Sequence, residues 1–398
     1  MQNEKVPANP ARSWKRLDGV DLLRGLAIFF VLMNHVNVRL RLAKVPYTNG
    51  IPDLLVTTFV WNGQNAVQIF FAVSGFLITS TTLRRWGSPS RVSPRDFYLL
   101  RFARIAPLLL LLLAVLSGLH LAGIKDFVIP ASRSSLGRAL LAALTFHVNL
   151  LESWNGYLPG SWDILWSLSI EETFYLFFPM LCRFFSRGRL LIAILAIFVV
   201  LGPFGRTLFA QGLWKDYSYL GGMEAIALGC LTAILVSHVR FSRRVMHAIA
   251  GGGAAIVVFI LVFARMGFGW LFRSGLDMTI LALGTCALII AAAETEWRSP
   301  RILEPLRQLG QRSYEVYLTH MFVVFAFFDF FVSRGKPLGA APLLFVAVIL
   351  ISGVLGGLVA RYYSDPMNRL LRGRFGEGSD RFRSVIDTRQ RVKSASAV

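Results

Sequence analysis

The chain has 398 residues, of which 55% are hydrophobic and 16% are charged, and its mean hydropathy is +0.57. Soluble domains have about 25% charged residues, so this composition excludes an ordinary soluble protein of two or three domains. The formal net charge of +20 does not indicate a nucleic-acid partner, because the basic residues are spread over short segments between apolar ones. The one dense basic stretch, from Arg369 to Lys393, is expected to contact anionic lipid headgroups.

Ten apolar segments are each about as long as a helix must be to cross the hydrocarbon core, which is about 20 residues. They cover residues 20–38, 64–83, 105–123, 164–185, 189–209, 218–237, 247–267, 276–293, 313–333 and 341–362. Backbone polar groups in lipid must satisfy one another, so each segment is expected to be helical. The sequence therefore predicts an all-α, polytopic membrane helical bundle of about ten transmembrane helices.

The basic residues indicate how this bundle is oriented. With residues 138–151 interpreted as an interfacial or re-entrant part of an outer loop, roughly 29 Lys and Arg residues lie on the side of the N-terminus and about 12 on the other side, as the positive-inside rule requires. Counting that segment as a span removes the asymmetry. We therefore predict that both termini are cytoplasmic, with a tail at 1–17, a membrane domain at 18–368 and a basic tail at 369–398.

The first span carries ionisable residues, which are costly in a membrane and are therefore candidate site residues. Arg24 and His35 are eleven residues apart, so they lie on one helix face, about 16 Å apart along the axis. His35 could act as a general base, and Asp21 could pair with Arg24. From the residues alone, an alternative stays open: Arg24 reaches the membrane surface and His35 only bonds a neighbouring helix.

Further carboxylates occur in later spans. Glu171 and Glu172 are adjacent in the fourth span, and Glu224 lies in the sixth. Counting residues from the outer surface places them at a depth similar to that of His35. We therefore predict a polar cluster of His35, Glu171 or Glu172, and Glu224, in which a carboxylate orients the imidazole. His320 is expected to lie deeper, toward the cytoplasmic half.

The second and third spans contribute two more candidate features. Ser74, beside Gly75, is expected to allow close helix packing rather than to be a nucleophile. Arg101 and Arg104 share a helix face at the membrane surface, where they could grip the phosphates of an anionic donor or serve only as a cytoplasmic anchor. The three cysteines show no pairing or metal-binding spacing, and we expect no metal.

Taken in order along the chain, several motifs resemble those of the acyltransferase-3 family, whose members are integral membrane acyltransferases. The resemblance extends from about Leu17 to about Arg369. It rests on Leu17-Asp18-Gly19, on Arg24 before His35, on Phe70-Phe71 with Ser74-Gly75-Phe76, on Arg101 with Arg104, Ile105 and Pro107, on Trp162 through Tyr175, on Ser313-Tyr314 to His320, and on Tyr362 to Asp365-Pro366. Asp365 departs from the family pattern, in which a glutamate commonly precedes the proline.

The resemblance implies an enzyme of the bacterial inner membrane. It would move an acyl group, expected to be acetyl, from cytoplasmic acetyl-CoA or another acyl-CoA to a hydroxyl of a saccharide or glycoconjugate acceptor. Arg24 and His35 would be essential, Glu171 and Glu172 are assigned as their catalytic partners, and Arg101 and Arg104 would contact the donor. The residues expected to contact substrate are Ser74, Trp162, Tyr175, Glu224, Tyr317 and His320. We expect a stand-alone form, without a fused esterase-like domain.

Three other functions fit part of this pattern. A transporter of a sugar or lipid-linked saccharide would also place buried charges within ten spans, although no internal repeat is visible. A structural or partner-recruiting membrane protein would not need both Arg24 and His35. The unrelated membrane-bound O-acyltransferases share the chemistry but usually pair their histidine with an asparagine. The acceptor, the acyl chain and the oligomeric state stay open.

Overall fold

A computed structural model describes residues 16–184, 188–208, 212–263, 268–295 and 297–374. Throughout these ranges the regular elements are helices, without a strand, which confirms the predicted all-α class. Most of the predicted N-terminal tail, and the part of the predicted basic tail beyond residue 374, lie outside the described residues.

Long helices alternate with short ones along the chain. Those of the first half are α1 (Asp18–Leu42), α2 (Asp53–Val60), α3 (Gly63–Trp86), α4 (Pro94–Leu121), α5 (Leu136–Leu144), α6 (Val148–Asn155), α7 (Gly160–Asp163) and α8 (Leu165–Phe184). Those of the second half are α9 (Gly188–Thr207), α10 (Trp214–Tyr217), α11 (Tyr219–His238), α12 (Arg243–Val258), α13 (Gly269–Arg273), α14 (Leu276–Thr295), α15 (Glu304–Gln311), α16 (Ser313–Ser333) and α17 (Ala341–Val359).

The described ranges contain nine helical segments that are long and apolar enough to cross a membrane. The tenth predicted span is α8, which has 20 residues but a lower hydropathy, because Ser167, Ser169, Glu171 and Glu172 lie within it. The polytopic membrane bundle is thus confirmed. Its orientation stays a prediction, but Arg24 near the start of α1 and Arg372 beyond α17 line one cavity, so both ends of the described chain lie at the same end of the bundle.

The outer surface of the bundle is apolar, as contact with lipid requires. On α17, Leu343, Val346, Leu350 and Val354 recur at the spacing of one helix face and are 51% to 67% exposed. An apolar stripe of this kind on a soluble protein would expose hydrophobic surface to water. Burial of the stripe in hydrocarbon removes that cost.

The segment 138–151 does not cross the membrane. It forms α5 and α6, which have 9 and 8 residues and are therefore about 14 Å and 12 Å long, less than half the thickness of the hydrocarbon core. The Val148 amide donates to Ser169 Oγ at 3.1 Å, and the Asn149 amide group donates to the Tyr217 carbonyl at 3.0 Å. These bonds fix α6 across the start of α8 and confirm that the segment is not a span.

Helix α1 lies at the centre of the site and packs against α3, α15 and α16. Its first turns approach α15 so closely that a Cβ atom at Gly25 would lie 1.9 Å from the Leu306 carbonyl oxygen, and one at Gly310 would lie 1.7 Å from the Asp21 carbonyl oxygen. Small residues allow such close helix approach in membranes. Because α15 occupies the space beside these turns, α16 begins deeper in the bundle than α1 does.

Candidate active site

A cavity of about 740 Å³ lies at the end of the bundle where α1, α4 and α16 begin and α3 ends. Its size is within the usual range for small-molecule sites. The cationic residues that line it are Arg24, Arg84, Arg85, Arg101, Arg104 and Arg372, and the acidic ones are Glu171 and Glu172. We call it the arginine cavity. Its excess of positive charge favours an anionic ligand.

Arg101 is held over an aromatic ring at the wall of this cavity. Its guanidinium carbon lies 3.7 Å from the centroid of the Tyr175 ring, a favourable cation–π geometry. The Tyr175 hydroxyl donates to Glu171 at 2.7 Å, and Ser74 also donates to Glu171. Arg101 Nε and one oxygen of Glu172 are buried without a hydrogen-bond partner among the described residues. Buried polar atoms are normally satisfied, so Arg101 and Glu172 each keep an unmet hydrogen-bonding atom at the wall of the arginine cavity.

Arg24 is only weakly paired. Its guanidinium lies 4.0 Å from the Asp21 carboxylate, and its side chain is 20% exposed. Asp21 instead accepts a hydrogen bond from Arg16 at 2.8 Å. The predicted Asp21–Arg24 ion pair is therefore at the longest distance at which such a pair is counted, 4.0 Å. The Arg24 guanidinium is thus available to a ligand in the cavity.

Unlike Arg24 and Arg101, Arg104 is fully paired with a carboxylate. It donates two parallel hydrogen bonds to Glu315, at 2.7 Å and 3.3 Å. Glu315 is 1% exposed, and its carboxylate needs such a counter-charge. Sequence reasoning did not single out Glu315, although an ionisable residue in the first turn of a span was a visible signal. Arg104 lines the arginine cavity and also links α4 to α16.

His35 lies in a second, smaller cavity of about 80 Å³. The residues that line it are Val31, Asn34, His35, Gly63, Gln64, Val67, Asp163, Ile164, Trp166, Tyr217 and Tyr317. We call it the His35 chamber. Val67 and Tyr317 also line the arginine cavity, so the two cavities are neighbours. The Tyr317 hydroxyl is fixed between them by Ser167 Oγ at 2.6 Å and the Ile164 carbonyl at 2.9 Å.

His320 is the neighbour of His35, with ring centroids 5.0 Å apart. Its Nδ1 lies 2.6 Å from the Tyr317 carbonyl oxygen. A carbonyl can only accept, so Nδ1 carries a proton, and a neutral ring then has its lone pair on Nε2. His320 Nε2 is buried without a partner among the described residues. The expectation that His320 lies deeper than His35 is wrong, because α15 shifts the start of α16 into the bundle.

The carboxylate that lines the His35 chamber is Asp163, which sequence reasoning left unassigned. The Tyr217 hydroxyl donates to Asp163 at 2.7 Å, and Glu152 lies beside it. Burial raises the pKa of Asp163 to about 6, while the bonds from Tyr217 and Glu152 lower it. Burial and the charge of Asp163 raise the pKa of Glu152 well above its ordinary value. Asp163 thus belongs to an acidic pair with Glu152 and brings one carboxyl group of that pair to the His35 chamber.

The predicted cluster of His35 with Glu171 or Glu172 and Glu224 does not form. Glu224 is fully buried in an ion pair with Arg206, and the other two glutamates line the arginine cavity. The prediction counted residues along each span from the outer surface, and it assumed that all spans start in one plane. In the structure α1 continues two turns beyond His35, whereas α8 begins at the level of the His35 chamber.

The residues predicted to contact substrate are dispersed over several sites. Ser74 and Tyr175 line the arginine cavity, and Tyr317 lines both cavities. Trp162 is 1% exposed, and its indole donates to the Phe127 carbonyl at 3.3 Å. Trp162 therefore supports the outer loop from within the core, and its contact with substrate stays a prediction.

The fold is that of a polytopic membrane protein, and an arginine-lined cavity adjoins a chamber that contains a histidine. The model of the Acyl_transf_3 acyltransferase domain matches residues 17–362, and the chain therefore belongs to this acyltransferase family. The family match confirms the resemblance noted in the sequence.

Curated relatives carry names that agree with this family. O-acetyltransferase OatA of Staphylococcus aureus (strain NCTC 8325 / PS 47) is 22% identical over 370 residues, which are 89% of this chain and 57% of the relative. Putative O-acetyltransferase SACOL0978 of Staphylococcus aureus (strain COL) is 24% identical over 347 residues, 82% of this chain and 54% of the relative. The chain thus spans little more than half the length of these relatives. No solved structure matches.

Proposed function

We propose that this protein is a membrane O-acyltransferase whose acyl donor is a coenzyme A thioester bound in the arginine cavity. One observation carries the proposal: a cavity lined by arginines adjoins the chamber that contains His35. Arg24 and His35 are about 16 Å apart along α1. A ligand that uses both must therefore be extended, with negative charge at one end and a reacting group at the other, as an acyl-coenzyme A is.

The arginines would bind the phosphates of this donor. Arg24 and Arg101 are the first candidates, because neither guanidinium is fully paired within the described residues. A planar guanidinium can hold a phosphate through two parallel hydrogen bonds. Arg104 would contribute positive charge while it stays bonded to Glu315.

The reaction then takes place at His35. The oxygen of an acceptor hydroxyl bonds to the thioester carbonyl carbon, and the carbon–sulfur bond breaks. The hydroxyl proton passes through His35 to the leaving sulfur, so the products are an ester and the free thiol of coenzyme A. In a second version a His35 nitrogen first bonds to the carbonyl carbon and the coenzyme A thiolate leaves; the acceptor oxygen then displaces the imidazole, and the hydroxyl proton ends on the thiolate. Both versions need an unprotonated His35 nitrogen that faces the chamber.

We assign His320 as a positioning residue for His35. Its Nε2 has no other partner among the described residues, and its ring centroid lies 5.0 Å from that of His35. A hydrogen bond from His35 to that nitrogen would fix the tautomer of His35, which is the role a carboxylate has in a catalytic triad. Asp163 lies in the same chamber and would help to place the acceptor hydroxyl.

The names of the relatives favour acetyl as the transferred group, with a hydroxyl as its acceptor. We propose a saccharide or glycoconjugate as that acceptor, at the bacterial inner membrane, with cytoplasmic acetyl-CoA as the donor. The excess of basic residues at the end of the bundle that holds the arginine cavity supports a cytoplasmic position for that end.

The experiment is steady-state release of coenzyme A from acetyl-CoA by the full chain in nanodiscs, with and without a bacterial cell-envelope fraction as acceptor source. We expect turnover by the wild type, and a KM for acetyl-CoA in Arg24→Gln that is raised about tenfold or more. Arg95→Gln is the matched control, since Arg95 does not line the arginine cavity.

Two outcomes would contradict the proposal. Folded wild-type protein that releases no coenzyme A from any of a panel of acyl donors would favour a transporter, which moves its substrate unchanged. An equal rise in KM for Arg24→Gln and Arg95→Gln would mean that the arginine cavity is not the donor site.

A further inference from the structure

We infer that the His35 chamber limits the transferred acyl group to about the size of acetyl, and that Val31 and Val67 set this limit. The inference rests on the proposed function, because it concerns the group that an acyl donor would place beside His35. It goes further by naming residues that select the donor.

The volume of the chamber sets the limit. An apolar protein cavity of about 150 Å³ holds benzene, which has six heavy atoms, so each heavy atom needs about 25 Å³. The His35 chamber has about 80 Å³ and therefore holds about three heavy atoms. An acetyl group has three, a propionyl group four, a butyryl group five and a succinyl group seven. An acetyl group fills this volume and each larger group exceeds it; because the chamber is partly open, the acceptor hydroxyl would reach the acyl carbonyl from the open side.

The walls are held in place by contacts on several sides. The Trp166 ring is stacked on the Tyr217 ring, with centroids 4.3 Å apart and an angle of 9°. Tyr217 is in turn bonded to Asp163 at 2.7 Å. The Tyr317 hydroxyl donates to the Ile164 carbonyl and accepts from Ser167 Oγ. Enlargement of the chamber would break these bonds or stacks, so the chamber resists expansion.

Val31 and Val67 line the chamber together with Ile164 and Trp166, and they are its two small aliphatic side chains. They lie on α1 and α3 and are 2% and 7% exposed. A valine in a helix has essentially one side-chain rotamer, so neither residue can rotate away from a larger acyl group. Val67 also lines the arginine cavity, which places it where the donor would enter the chamber. Replacement of either valine by alanine removes two carbon atoms and adds about 50 Å³, enough for two further acyl carbons.

The experiment measures hydrolysis of acetyl-, propionyl-, butyryl- and succinyl-CoA by the purified full chain without acceptor, where water replaces the acceptor hydroxyl. Each methylene that does not fit a pocket lowers kcat/KM by about 10- to 200-fold. For the wild type we expect butyryl-CoA to be at least about 100-fold poorer than acetyl-CoA. Val31→Ala and Val67→Ala should each reduce this ratio to about tenfold or less.

The control is Val348→Ala. Val348 is fully buried on α17 and lines neither of the two cavities, so this variant loses the same two methyl groups elsewhere. It should keep the wild-type ratio. Two chamber variants are used so that the failure of one to fold leaves the other to decide, and elution as a single species in size-exclusion chromatography shows which have folded.

These outcomes distinguish failure of the size limit from failure of the proposed function. Wild-type hydrolysis of butyryl-CoA at the rate of acetyl-CoA would overturn the size limit and leave the proposed function intact. So would an unchanged ratio in both chamber variants, or an equal change in Val348→Ala. Wild-type protein that is folded but hydrolyses no acyl-CoA would overturn the proposed function itself.

Discussion

Removal of the Glu315 carboxylate is expected to loosen the contact between α4 and α16 at the arginine cavity. In wild type, Arg104 and Glu315 are joined by two hydrogen bonds of 2.7 Å and 3.3 Å. Glu315→Gln keeps the shape of the side chain but removes its charge. Arg104→Gln removes the partner, and the double variant removes both charges. Comparison of the four proteins isolates the energy of the pair.

The magnitude follows from the geometry. Two unit charges about 4 Å apart attract by about 4 kcal/mol at the effective dielectric constant of about 20 that suits partly buried sites. Burial of Glu315, which is 1% exposed, costs part of this energy, and solvent screens Arg104, which is 26% exposed. Hydrogen bonds to charged groups contribute about 1.5–3 kcal/mol net. We therefore expect a coupling energy of about 2 kcal/mol, so the double variant should be little less stable than either single variant.

The assay is denaturant-induced unfolding in detergent micelles, followed by tryptophan fluorescence. Glu304→Gln is the control, because Glu304 forms a similar double hydrogen bond with Arg307, at 2.8 Å and 2.8 Å, but on the surface. Loss of the Glu304–Arg307 pair should leave the unfolding midpoint unchanged, since surface ion pairs contribute little to stability. A coupling energy near zero for Arg104 and Glu315 would refute the reasoning, as would an equal loss in Glu304→Gln.

Three further predictions concern other parts of the molecule. Arg101→Gln should raise the KM for acetyl-CoA by about 10- to 150-fold, the equivalent of one hydrogen bond to a charged group; an unchanged KM in steady-state kinetics would argue against a donor contact. Gly25→Ala should lower the free energy of unfolding by about 1–3 kcal/mol, because the new Cβ would lie 1.9 Å from the Leu306 carbonyl oxygen. The control is Gly251→Ala, whose Cβ would have no atom within 4 Å, so the free energy of unfolding should not fall. Burial raises the pKa of Asp163 to about 6, so its protonated form favours the fold. Stability should therefore fall, by on the order of 2 kcal/mol, as pH rises from about 4 through 6. Asp163→Asn should show a smaller fall over this range, because only Glu152 of the acidic pair then titrates, and an identical pH profile would contradict the assignment.

The helices could be predicted from the sequence because hydropathy is a local property. Each predicted span coincides with a long helix, and the charge asymmetry correctly excluded a span at 138–151. Arg24, Arg101 and Arg104 were also predicted to lie together at the membrane surface, and they line one cavity.

Depth within the bundle could not be predicted in the same way. It depends on where each helix starts, and this is set by the short helices packed around the long ones. α15 packs against the first turns of α1 at Gly25, and α16, which follows it, places His320 beside His35. Likewise, Arg206 near the end of α9 is 6% exposed and pairs with Glu224. A buried carboxylate requires a counter-charge, yet the sequence does not reveal which of many arginines supplies it.

The central claim is that an acyl group bound through the arginine cavity is transferred at His35. Its most direct test is release of coenzyme A from acetyl-CoA by wild type and by His35→Ala, together with the Kd of coenzyme A for each by titration calorimetry. We expect turnover in the wild type, loss of turnover by at least about 100-fold in the variant, and an equal Kd for both. Turnover that survives in His35→Ala, while the variant still binds coenzyme A, would contradict the account.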